Sequence, residues 1–124
     1  MTLLKLGLVL IVIYIHSGWA EELKVASLNY APYMIQTPDG GHEGYIVDLL
    51  DEMGLDYQIV NPADGKYGGF DQVQNKWNGV IGMVLDQKAD AIGLDLTMTS
   101  QRFQVLDFTP PIMEAGLTVM TKEV

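Results

Sequence analysis

Strand-like and helix-like segments alternate along the chain after residue 22, and this alternation limits the possible folds more than any other feature. Short apolar or alternating runs predict strands at residues 23–28, 55–60, 89–94, 105–108 and 117–120. Apolar residues at helical spacing predict helices over residues 45–53, 77–85 and 99–104. Such alternation is typical of an α/β layer with a mostly parallel sheet and flanking helices. We therefore expect one α/β domain in residues 21–124.

Sheets of this kind bind small ligands in the loops beyond the carboxyl ends of their parallel strands. In this sequence these loops follow Leu28, Val60 and Leu94. We therefore expect a binding site where residues from the three loops meet.

The first twenty residues resemble a secretory signal peptide in composition. Lys5 supplies a short positive region, residues 6–15 are apolar, and Gly18 and Ala20 place small residues before a cleavage point. The apolar run is shorter than the roughly 20 residues that span a bilayer. We therefore predict that residues 1–20 direct the chain into the secretory pathway, towards the extracellular side or the cell surface, and are then removed. A retained signal anchor is the alternative.

The charge balance excludes several classes of partner. The chain has 16 Asp and Glu residues against 7 Lys and Arg, and a formal net charge of −9. Such a surface argues against nucleic-acid binding, which needs Lys and Arg to neutralise phosphates, and against docking on anionic lipid. The chain contains no cysteine, which excludes disulfides, thiolate catalysis and cysteine-based zinc sites.

The usual catalytic and cofactor motifs are also absent from the sequence. No serine lies in a Gly-x-Ser-x-Gly turn, and no His-Glu-x-x-His, phosphate loop or dinucleotide fingerprint occurs. We therefore predict no enzymatic activity, no metal and no cofactor.

Arg102 is the only arginine in the chain. It falls in the first turn of the predicted helix 99–104, where Thr99 or Ser100 is a plausible N-cap. A cation there opposes the helix dipole, an arrangement that suits an anion bound jointly by the free amides and the guanidinium. A guanidinium holds a carboxylate through two parallel hydrogen bonds. Pairing with Asp107 or another acid of the chain is the alternative.

Tyr67 is a second candidate, in the loop after the predicted strand 55–60. Glycines at positions 65 and 68 flank it, which leaves the ring free to cover a ligand. A tyrosine that packs over its own loop is the alternative interpretation.

Seven short motifs, taken in order, resemble a known family. They are Glu43-Gly-Tyr-Ile-Val-Asp-Leu-Leu50, Asp64-Gly-Lys-Tyr-Gly68, Trp77-Asn-Gly-Val80, Lys88-Ala-Asp90, Leu96-Thr-Met-Thr99, Arg102 and Val105-Leu-Asp-Phe-Thr-Pro110. The ordered set closely resembles the first ligand-binding segment of animal ionotropic glutamate receptors, which belongs to the wider class of periplasmic solute-binding proteins. The resemblance covers nearly all of residues 23–124.

The resemblance implies a periplasmic-binding-protein-like lobe, one half of a clamshell that binds an α-amino acid such as glutamate or glycine outside a ligand-gated cation channel. It implies that Arg102 binds the α-carboxylate and that Tyr67 covers the ligand. Thr97 would give its amide to the carboxylate and its hydroxyl to the ammonium group, and Asp95 would offer a main-chain carbonyl to the ammonium. Leu96 completes the predicted ligand-binding set.

Two positions depart from the family pattern. Asp95 stands where the family usually has proline, and Tyr30 stands where an acidic residue is common. A carboxylate at position 95 would either strengthen ammonium binding or repel an acidic ligand.

The chain stops at Val124, where the first pore helix of the family would follow. We therefore expect a fragment or short form without the second lobe and the pore, and oligomers only through a parent receptor. Two alternatives are a solute-binding protein of a transporter and a secreted enzyme of related fold, such as a dehydratase, for which Asp95 and Glu114 would be the nearby acids.

Overall fold

The computed structural model describes residues 3–10 and 22–123, which form nine strands and three helices. The strands are β1 (Leu3–Leu10), β2 (Leu23–Ala26), β3 (Ile35–Gln36), β4 (His42–Glu43), β5 (Tyr57–Val60), β6 (Phe70–Asp71), β7 (Lys76–Trp77), β8 (Ala91–Thr97) and β9 (Pro111–Gly116). The helices are α1 (Tyr45–Glu52), α2 (Gly79–Leu85) and α3 (Ser100–Phe103).

Five of the strands form one sheet in the order β5-β2-β8-β1-β9. β2 pairs in parallel with β5 and β8, whereas β1 lies antiparallel between β8 and β9. β9 therefore points in the same direction as β5, β2 and β8. The prediction of an α/β fold with a mostly parallel sheet and flanking helices is confirmed, and this architecture agrees with the periplasmic-binding-protein-like lobe that the resemblance implies.

The core lies on both faces of the sheet. One buried cluster contains Leu94 and Leu96 of β8 and the apolar face of α2. The other contains Val25 of β2 and the apolar face of α1. Because neighbouring residues of β2 enter opposite clusters, Val25 in one and Ala26 in the other, this strand is buried on both sides, as parallel strands usually are.

Helix α1 follows the predicted spacing of apolar residues. Ile46, Val47 and Leu50 are buried against the sheet. The helix ends where predicted, because Gly54 adopts a φ of 67° and its amide donates to the carbonyl of Asp51.

The helix predicted from residue 77 begins two residues later, at Gly79. Trp77 instead belongs to β7, where it pairs with Phe70 of β6 and the two rings meet edge to face at 5.9 Å. The extended backbone of Asn78 (φ −109°, ψ −175°) separates this short hairpin from the helix. The apolar side of Trp77 still packs against the core, as its spacing indicated.

The two predicted strands at residues 105–108 and 117–120 are wrong. The amides of Val105 and Leu106 donate to the carbonyl of Arg102, so the first half of this segment continues the turn after α3 and these two donors do not enter a ladder. The actual strand is β9, which starts at Pro111 in an edge position that tolerates proline. Its last paired residue, Gly116, lies opposite Leu3, so the ladder ends before residue 117.

Of the predicted leader, the structure describes residues 3–10, and the rest lies outside the described residues. These eight residues form strand β1, a role that the sequence did not predict. Within the described ranges, none of the helices is both long and apolar enough to cross a membrane.

Candidate functional site

Residues from the three predicted loops meet at the carboxyl end of the sheet. Tyr30 follows β2, Tyr67 follows β5, and Asp95 lies near the end of β8. The Tyr67 hydroxyl donates to Oδ1 of Asp95 at 2.7 Å. The ring of Tyr30 meets the ring of Tyr67 edge to face, with centroids 6.4 Å apart. The residues that the rule for ligand loops in α/β sheets singled out therefore lie together in the structure.

Asp64 fixes the loop that carries Tyr67. One carboxylate oxygen accepts from the amide of Lys66 at 3.1 Å, and the other accepts from the amide of Gly79, the first residue of α2, at 2.9 Å. These two backbone hydrogen bonds hold the pKa of the Asp64 carboxyl below its ordinary value. The carboxylate thus joins the loop to the start of the helix.

Two glycines allow this loop to lie directly against α2. Gly68 has a φ of 125°, and a Cβ there would lie 2.6 Å from the carbonyl oxygen of Asn78. Gly79 has a φ of 64°, and a Cβ there would lie 2.3 Å from the carbonyl oxygen of Lys66. Only glycine fits at either position, and the close approach brings the Gly68 carbonyl into the site.

Arg102 reaches the site from the single-turn helix α3. Thr99 is the N-cap, as predicted, and its side chain accepts from the amide of Arg102 at 3.3 Å. The helix has only four residues, Ser100–Phe103, so Arg102 lies closer to its end than to its start. A sustained helix dipole, expected from the sequence, therefore does not operate here.

The guanidinium of Arg102 links two parts of the site. Nη1 donates to the carbonyl oxygen of Thr97 at 2.9 Å, and Nη2 donates to that of Gly68 at 3.1 Å. The alternative considered from the sequence, an ion pair between Arg102 and Asp107, is not the contact that the structure shows. The group is half-buried, and burial lowers the pKa of the guanidinium from its ordinary value. Because carbonyl oxygens carry only partial charge, this cation retains the capacity to bind an anion.

The Tyr67–Asp95 hydrogen bond gives the site a negative side. Burial raises the pKa of the Tyr67 hydroxyl first, and the bond to the Asp95 carboxylate raises it further, so this hydroxyl stays protonated and donates at neutral pH. Burial, followed by the charge of Asp95, also raises the pKa of Tyr33. The Tyr67 ring also packs partly against the core, which agrees with the alternative of a tyrosine covering its own loop.

The other two predicted residues differ in how much they can contribute. Thr97 is half-buried at the end of β8, and its carbonyl oxygen already accepts from Arg102. Leu96 is fully buried and its side chain belongs to the core, so a ligand could meet only its main chain.

Sequence reasoning gave Asp64 no separate role and missed Tyr33. An aspartate followed by glycine is a sequence signal for a turn in which the side chain binds nearby amides, and it could have identified Asp64. No local signal identifies Tyr33, whose ring lies parallel to that of Tyr30 at 6.4 Å and whose hydroxyl donates to the sulfur of Met113 at 3.1 Å.

Residues 21–124 match the family model for the L-glutamate- and glycine-binding site of ligated ion channels. A probable glutamate receptor of Lithobates berlandieri is 35% identical over 107 residues, which cover 83% of this chain and 22% of that protein. Glutamate receptor U1 of Xenopus laevis matches to the same extent. The chain thus spans about a fifth of the length of these relatives. It belongs to the family of ionotropic glutamate receptor ligand-binding segments.

Proposed function

We propose that this chain forms the first lobe of an extracellular amino-acid-binding domain of a ligand-gated cation channel, and that Arg102 binds the α-carboxylate of the ligand. The single observation that carries this proposal is the state of the Arg102 guanidinium. It is half-buried, and the partners of its two terminal nitrogens within the described residues are neutral carbonyl oxygens. A carboxylate ligand would supply the missing negative charge.

The remaining predicted residues are assigned around this anchor. Thr97 gives its amide to the ligand carboxylate and its hydroxyl to the ammonium group, and Tyr67 covers the ligand. The main-chain groups of Asp95 and Leu96 form the part of the binding site that lies on β8. Residues 1–20 direct the chain into the secretory pathway, and a second lobe of the parent receptor completes the clamshell. The family and the relatives named glutamate receptors support this proposal.

The test is a titration of the full chain with glycine. Binding is measured from the NMR shifts of the backbone amides, a method that detects the weak binding expected of a single lobe. Arg102→Gln should weaken glycine binding by about 30-fold or more, since removing one partner of a hydrogen-bonded charge pair costs about 2–5 kcal/mol. Lys88→Gln is the matched control, because it removes the same charge from an exposed side chain. It should change the affinity less than about twofold.

Glycine methyl ester distinguishes the contribution of the ligand carboxylate to binding from that of the rest of the ligand. It keeps the ammonium group and lacks the carboxylate, so it should bind no better to the wild-type chain than to Arg102→Gln. Equal glycine affinity in the wild type and Arg102→Gln would show that Arg102 is not the anchor.

A further inference from the structure

Asp95 carries the negative charge of the candidate site, and its hydrogen-bond partner Tyr67 belongs to a cluster of three tyrosine rings. Its carboxylate is half-buried near the end of β8 and accepts from the Tyr67 hydroxyl at 2.7 Å. The ring of Tyr30 forms a T-shaped pair with that of Tyr67 and lies parallel to that of Tyr33, with both pairs of ring centroids 6.4 Å apart. The arrangement is a carboxylate beside a cluster of aromatic rings.

Among the residues that the structure describes, only Tyr67 donates to the Asp95 carboxylate, which leaves most of its acceptor capacity unused. An ionised carboxylate offers about four lone-pair sites, and the Tyr67 hydroxyl occupies one. The donor is also neutral, so Tyr67 orients the carboxylate group without cancelling its negative charge. The hydroxyl of Tyr33 does not add to this, because it donates to the sulfur of Met113.

The aromatic rings are suited to a cation. Aromatic faces attract ammonium groups, and a carboxylate next to such faces is the arrangement that recognises alkylammonium ions. Tyr30 is 52% exposed, so its ring is accessible from the open side of the site. A ligand ammonium could therefore contact the ring and the carboxylate together.

The spacing on β8 matches a zwitterion. Asp95 and Thr97 are two residues apart on one strand, so they lie on the same side of it and about 6.8 Å apart. Arg102 is bound to the carbonyl of Thr97, so the guanidinium and the Asp95 side chain are both held at this end of β8. An α-amino acid whose carboxylate meets Arg102 would then reach Asp95 with its ammonium group.

We propose, resting on the function proposed above, that the Asp95 carboxylate and the rings of Tyr30 and Tyr67 form the ammonium-binding part of the site, which selects small amino acids with uncharged side chains. A second carboxylate on the ligand would enter a region that already holds a negative side chain, in a chain with a net charge of −9. Like charges raise the cost of binding, so glutamate binds less well than glycine or serine.

The test titrates the full chain separately with two ligands that each carry one half of an amino acid, and NMR measures the affinity of each. Ethylammonium carries only the cation and acetate carries only the anion. Asp95→Asn keeps the size of the side chain and should weaken ethylammonium binding by about tenfold or more, while acetate binding stays equal or becomes tighter because a negative charge is removed. Asp56→Asn is the matched control, because it removes the same charge from an exposed position, and should leave both affinities within about twofold.

A second variant tests the aromatic contribution with little risk to the fold. Tyr30→Leu changes an exposed ring and should weaken ethylammonium binding by about threefold while acetate binding stays constant. In a competition series on the wild type, glycine should bind more tightly than glutamate at low salt.

The outcomes separate the two proposals. If acetate binding depends on Arg102 but ethylammonium binds Asp95→Asn as tightly as the wild type, the ammonium assignment is overturned and the carboxylate anchor stands. If ethylammonium binding depends on Asp95 but acetate binds Arg102→Gln as tightly as the wild type, Arg102 is not the carboxylate anchor, and the assignment of Asp95 to the ammonium group stands. Absence of ethylammonium binding to the wild-type chain, or tighter binding of glutamate than of glycine, also overturns the inference.

Discussion

Deletion of residues 1–20 should remove most of the stability of the sheet, because β1 lies inside the sheet and not at its edge. β1 is the strand between β8 and β9, and β9 is attached to the sheet through β1. The register runs from Leu3 opposite Gly116 to Gly7 opposite Pro111, so β9 is paired with β1 along most of its length. Without β1, β9 loses its neighbour and β8 becomes an edge strand.

The expected loss follows from the register. β1 pairs with β8 at four positions and with β9 at five, nine in all. An antiparallel ladder contains on average about one backbone hydrogen bond per paired position, and each contributes a net ~0.5–1.5 kcal/mol. The two ladders therefore contribute roughly 4–14 kcal/mol, which is comparable with the whole stability of a typical domain, about 5–15 kcal/mol.

The assay compares the full chain with residues 21–124 by urea unfolding and by mass in solution. The shortened chain should self-associate through its open strand edges or lack a cooperative transition. A synthetic peptide of residues 1–14 should restore the transition, whereas the same peptide with Gly7→Pro should not, because proline removes a ladder donor at a residue paired with both neighbours. A monomeric 21–124 chain with the unfolding midpoint of the full chain would refute this reasoning.

Three smaller predictions concern the fold. Gly79→Ala should destabilise the chain by about 2–5 kcal/mol because its Cβ would clash with a carbonyl oxygen. Gly54→Ala is the control, also at positive φ but in open space, and should cost about 1–2 kcal/mol. Denaturant unfolding measures the stability of both variants. Ser27→Ala should cost about 1–3 kcal/mol in the same assay, because the buried hydroxyl donates to a β8 carbonyl at 2.6 Å. Burial raises the pKa of Tyr57 to about 12 from 10.0. The unfolded chain therefore loses this proton first, and stability should fall between about pH 10 and pH 12 in the wild type and in Tyr45→Phe, but less in Tyr57→Phe.

Elements with their own periodic pattern could be predicted from the sequence. Helix α1 was predicted to within one residue because three buried apolar residues and a terminal glycine lie within ten positions. Strand β8 was predicted from its apolar run, although the structure extends it to Thr97. In both cases the residues that specify the element are the residues that form it.

Elements that depend on a distant partner could not be predicted in this way. β9 begins at a proline and has an exposed, mixed sequence, so it is a strand only because β1 lies beside it. The apolar run at residues 117–120 looked more like a strand, but the β1–β9 ladder ends before it. Likewise, the apolar composition of residues 3–10 serves a leader and a strand equally well.

The candidate site shows the same division. Arg102 could be identified from the sequence because it is a unique arginine three residues after a capping threonine. Its carbonyl partners could not, because the Gly68 carbonyl comes from 34 residues away. The hydrogen bond between Tyr67 and Asp95, 28 residues apart, is a product of the loop geometry that Asp64 and the glycines impose. No periodicity in the sequence reports such a contact.

Strand β8 connects the stability of the sheet with the geometry of the site. Leu6 of β1 is the register partner of Thr97, and Gly7 is that of Leu96, so the β1 ladder extends to the end of β8 that carries the candidate site. The carbonyl of Thr97 must stay in place for Arg102 to keep its position. A chain without β1 would therefore lose ligand affinity through an unanchored β8, even though the ligand contacts proposed above all lie outside β1. For this reason the Arg102 and Asp95 variants have to be compared in the full chain, where the strand that fixes both residues is present.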